Sequence, residues 1–120
     1  MPTAPDQRLL EVLLDSWDRN NAIMLNLLRA LPKGGLGVKA SESSPSVAQQ
    51  FMHIHHERLV SVFEEAPEFA RGVPNDEWAV ECERDRIAQM LTDSAKAVRD
   101  AVSRAQMFFH PAQFSTISVR

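Results

Sequence analysis

From Asp6 to Leu31 the positions Leu10, Leu14, Trp17, Asn21, Met24, Leu28 and Leu31 alternate steps of four and three, the spacing of one helical face. Leu9, Leu13, Ile23 and Leu27 flank that stripe, while Arg8, Glu11, Asp15, Asp18, Asn26 and Arg29 fall on the other side. The apolar arc covers more than half of the helix circumference, so the first helix is expected to touch at least two others. Asn21 lies within the stripe, where a buried amide acts as a structural hydrogen-bonder or register device.

Pro32 and the glycines at 34, 35 and 37 stop this helix, and the serine- and proline-containing stretch up to Pro45 reads as a loop. Those glycines lack the preceding strand and following lysine-serine of a phosphate cradle. A second helix starts near Ser46, where Ser46 and Gln49 have capping-box spacing; Phe51, Ile54, Leu59, Val62 and Phe63 mark its buried side, and Pro67 ends it. A third begins at Asn75 or Asp76, or as late as Glu83. It carries Ile87, Leu91, Ala95, Val98, Val102 and Ala105 on one face until Pro111 breaks the pattern. The tail after Phe108 reads as irregular coil. The pattern therefore predicts one all-α domain, an up-down helical bundle with long helices over about 6–31, 46–66 and 76–108 and an irregular segment 109–120. The wide apolar arcs of the first two helices leave surface that a second copy covers most simply, giving a homodimer.

Composition narrows the function. With 44% hydrophobic and 24% charged residues, the chain has the content of a folded domain rather than a disordered one. The 13 Lys and Arg are scattered among 16 Asp and Glu, and there is no tyrosine, so no basic, base-stacking surface for nucleic acid is expected. Apolar runs are short and broken by charge, and Met1 to Asp6 has no signal-peptide pattern, so neither a membrane nor export is expected and the cytoplasm is the default location. Cys82 is the single cysteine, consistent with a reducing compartment. It lies between Glu81 and Glu83, whose charge disfavours a reactive thiolate.

Candidate chemistry centres on the second helix. His53 lies one turn from both His56 and Glu57, so either pair can present two ligands to a divalent metal such as zinc, nickel or iron. The alternative is a hydrated polar strip, because His53 shares its face with Ser46, Gln50, Glu57 and Glu64. A closed or catalytic site needs more ligands than one helix offers, and the remaining donors in the chain are His110, Cys82, Glu81, Glu65 and Glu68.

The run Leu13-Leu14-Asp15-Ser16-Trp17-Asp18-Arg19-Asn20, followed by leucine-rich turns, a loop, and then Ser46 with His53 seven positions on, resembles the DinB/YfiT-like superfamily. The resemblance spans roughly Leu9 to Gln106. It implies a four-helix bundle, often dimeric, related to metal-dependent transferases or hydrolases, some acting with a small-molecule thiol. It also implies that His53 matches the family's first metal ligand. The family's other two ligands form a His-x-x-x-His pair on a fourth helix, which this chain does not contain. A monomer is thus expected to lack a complete site. Two readings of function follow: a DinB-like protein with His53 as the remaining ligand of an incomplete metal site, or a non-catalytic helical dimerisation or partner-binding module. Between them stands a dimer that rebuilds a site by bringing His53, His56 or Glu57 of one chain toward His110 of the other.

Overall fold

The computed structural model describes residues 4–73 and 83–107. Three helices carry the fold: α1 (Ala4–Ala30), α2 (Val47–Glu65) and α3 (Arg84–Met107), with single 3₁₀ turns at Gly35–Gly37 and Pro67–Phe69. No strand occurs among the described residues, and the nearest approach to one is an isolated bridge between Lys39 and Ser46. No helix among them is long and apolar enough to cross a membrane.

The stops and starts follow local chemistry. α1 gives way at Pro32, and the chain turns through Gly34, whose φ of 85° lies in the left-handed region that side chains disfavour. The guanidinium of Arg84 then covers the exposed carbonyl end of α1, donating to Arg29 O at 3.1 Å and Leu31 O at 2.8 Å. At the start of α2 the capping box forms as the spacing predicts: Gln49 N donates to Ser46 Oγ at 3.1 Å, and Ser46 N to Gln49 Oε1 at 2.8 Å. Val47 N also donates to Val38 O, tying the loop to the helix it feeds. α2 ends ahead of Pro67. The third helix takes the later of its two expected starts, with Glu83 accepting from Ile87 N at 2.9 Å. Both the earlier start at Asn75 or Asp76 and the tail 109–120 lie outside the described residues.

α1 and α2 both pack along α3, and the main core gathers Leu28, Ala48, Phe51, Met52, Ile87, Met90 and Leu91 where the three meet. A second cluster of Leu59, Val62, Ala70 and Ala97 closes the far end. These contacts fix the helix directions. Residues rising along α2 meet residues rising along α3, as Arg58 meets Leu91 and Ser94 and Glu68 pairs with Arg104. Along α1 the order reverses: Trp17 meets Ala95, and Leu31 meets Arg84. The order is therefore up, down, down, a correction to the simple up-down alternation. A connection from Ala66 to Glu83 is long enough to run back along the bundle, so loop length did not force α3 to reverse.

The buried side of α2 is a second correction. Phe63 is 49% exposed, and the buried set is Ala48, Phe51, Met52, His55, Arg58, Leu59 and Val62. At about 100° per residue this face is rotated away from Phe63, because two polar residues take inward positions.

Candidate functional site

The three candidate metal ligands share one exposed edge of α2. The side chain of His53 is 41% exposed and that of Glu57 61%, with Nε2 and Oε1 separated by 3.9 Å, while His56 is half-buried. That distance exceeds a hydrogen bond, and between exposed groups it is worth at most a fraction of a kcal/mol, roughly 0.2–1. Among the described residues no group of three or more His, Cys, Asp or Glu converges. Glu65 is exposed, and Glu68 is occupied with Arg104 near the other end of the bundle. Cys82, Glu81 and His110 lie outside the described residues. The described donors thus do not fit a resident divalent ion, which needs three or four ligands around one point.

The histidine that enters the core is His55, which is 0% exposed. Sequence reasoning passed over it, and also over Arg58, which is 8% exposed and touches all three helices. Nη1 of Arg58 donates to Leu91 O at 2.9 Å and Ser94 Oγ at 3.3 Å; Nη2 lies 3.8 Å from Met24 Sδ, and the guanidinium sits 4.8 Å from the Trp17 ring centroid. Trp17 in turn donates from Nε1 to Ala95 O at 2.9 Å. No carboxylate pairs with Arg58 among the described residues, and burial pulls its pKa below the usual arginine value. It remains a cation near neutrality. A signal for both residues existed: Ala48, Phe51, His55, Arg58 and Val62 step by three, four, three and four. One turn beyond Trp17 on α1, Asn21 has a buried Oδ1 without a hydrogen-bond partner among the described residues.

An apolar concavity lies elsewhere. α1 and α2 splay apart on the side away from α3 and leave a groove of about 310 Å³ lined by Leu27, Leu31, Val47, Gln50, Phe51 and Ile54. Along α1 it continues into an uncovered row in which Leu9, Val12, Leu13, Ile23 and Leu27 are each more than half exposed. His53, His56 and Glu57 line neither this groove nor the cleft between α1 and α3 formed by Asp18, Asn21, Thr92, Ala95, Lys96 and Arg99. The groove and the row together form an exposed apolar surface on α1 and α2.

Comparison with known proteins finds no matching family model, no similar curated protein and no similar solved structure.

Proposed function

We propose that this chain is a helical self-association module in which a second copy covers α1 and the groove between α1 and α2, giving a homodimer. The observation that carries the reading is the uncovered row Leu9, Val12, Leu13, Ile23 and Leu27, 52 to 65% exposed and continuous with the groove. Five large apolar side chains on one face make a patch of the size, several hundred Å², that marks an interaction surface. The row is apolar at both ends and polar at Ser16 and Asn20 in the middle, so it is complementary to itself. Light scattering on the purified chain at about 100 µM, a concentration that reveals micromolar self-association, is expected to give twice 13.5 kDa. Ile23→Glu is expected to give a folded monomer, since the side chain it replaces is 65% exposed and absent from the core. A wild-type monomer at that concentration overturns the proposal.

One observation favours a second reading: His53 and Glu57 stand as an imidazole-carboxylate couple on one turn. In that reading the chain is a DinB-like relative of metal-dependent thiol transferases or hydrolases, with His53, His56 or Glu57 as ligands completed from residues not described. Elemental analysis separates the two. About one equivalent of zinc, nickel or iron per chain, lost in His53→Ala, supports the metal reading; less than about 0.1 equivalent removes it.

A further inference from the structure

Resting on the dimer reading above, we infer that α1 of one copy packs antiparallel to α1 of the other about a two-fold axis at the level of Asp18. α1 carries two adjacent stripes of the same period. Leu10, Leu14, Trp17, Asn21, Met24 and Leu28 face the bundle; Leu9, Leu13, Ser16, Asn20, Ile23 and Leu27, one residue earlier at each step, form a second stripe with steps of four, three, four, three and four. In this second stripe Leu9, Leu13, Ile23 and Leu27 are 58, 52, 65 and 58% exposed. It is the stripe of a two-helix seam without its second helix.

Reversing the stripe about its midpoint sets Leu9 against Leu27, Leu13 against Ile23 and Ser16 against Asn20. Apolar side chains then meet apolar ones, and a hydroxyl meets an amide at the axis, where a polar pair fixes register. A parallel pairing also matches like with like, and the groove decides between the two. The groove opens only beside the C-terminal half of α1, at Leu27 and Leu31 with Phe51 and Ile54. Parallel helices bring the two grooves together at one end and fill neither. Antiparallel helices lay Leu9 of each copy against Leu27 at the groove of the other, so both grooves are engaged. From Leu9 to Leu27 the seam is about 27 Å long.

Cross-linking tests the direction. With Cys82→Ser as background, chains carrying Leu9→Cys and chains carrying Leu27→Cys are treated with a short bis-maleimide, which tolerates more spread than the roughly 4.4–6.8 Å Cα separation of a disulfide. The mixture is expected to give covalent dimer, and each chain alone none, because like positions stand about 27 Å apart across the axis. Adding Ile23→Glu to either chain should abolish the product. Cross-linking of either chain with itself overturns the antiparallel arrangement while leaving the dimer in place. A chain that scatters as a dimer but yields no product in any mixture also overturns it, whereas a wild-type monomer removes the dimer and the arrangement together.

Discussion

Arg58 sits where an apolar residue of the same length would be expected, and its surroundings say what it contributes. Its two oxygen partners are not stranded without it, because Ser94 Oγ itself donates to Leu91 O at 3.2 Å. Arg58→Met therefore leaves no orphaned polar group and removes a desolvated cation that has no carboxylate partner among the described residues. Urea denaturation should place it within about 1 kcal/mol of the wild type, on either side. Arg58→Ala leaves a void between Trp17, Met24 and Leu91 and should cost about 2–4 kcal/mol. If the two variants lose the same amount, the guanidinium contacts matter and the filling of space does not. Burial lowers the pKa of Arg58, so between its folded and unfolded values the unfolded chain holds more proton and stability rises with pH. That window is strongly alkaline, and this group gives no pH dependence near neutrality. The same contrast separates the histidines: His55→Ala, in the core, should cost about 2–4 kcal/mol, whereas His53→Ala on the surface should stay within about 0.5 kcal/mol. An equal loss in the two would contradict the burial seen here. His55 and Arg58 were readable as members of the stripe through Phe51 and Val62 only if polar letters were allowed into it. An arginine stem is apolar enough to line a core when a ring and a carbonyl receive its head.

At the scale of elements, what was legible is what local sequence controls. Period, caps and breakers place α1 and α2 within a residue or two, and Ser46 with Gln49 forms the predicted box. What was not legible depends on distant partners. Arg84 gives no sign in sequence that it will close the end of α1, a helix more than 50 positions earlier, because the contact exists only once α3 lies antiparallel to α1. Its direction was hidden for the same reason: the connection after Ala66 is long enough for either answer. The arginine cap can be tested directly. Arg84→Ala leaves the Arg29 and Leu31 carbonyls to water and should cost about 1 kcal/mol, with faster amide exchange confined to the last turn of α1. Arg84→Lys should recover less than half of that loss, since a single ammonium nitrogen lacks the two spaced N–H-bearing nitrogens with which the guanidinium reaches both carbonyls. Full recovery by lysine would reduce the cap to a point charge.

For the whole molecule the decisive fact is how lightly α1 is held. Of its 27 residues only Leu10 and Leu28 belong to the buried apolar core among the described residues. The wide apolar arc was plain in the sequence, but which half of it would face α3 was not, since two stripes one residue apart have the same period. The half left over now bears on stability as well as assembly. If a second copy covers it, α1 gains a second packed face, and folding is linked to association by mass action. A tenfold rise in chain concentration is then worth about 1.4 kcal/mol per dimer. For a cooperative unit of two such chains this corresponds to roughly 3–5 °C in Tm. Thermal melts over a hundredfold concentration range should therefore shift upward by about twice that amount, with the Leu9 end of α1 protected at high concentration. Ile23→Glu should melt at a lower temperature that no longer depends on concentration, because its charge would be buried against Leu13 of the other copy without a partner. A wild-type Tm that is flat over the same range would mean that α1 is held by its own chain alone, and the uncovered stripe would lose its link to folding.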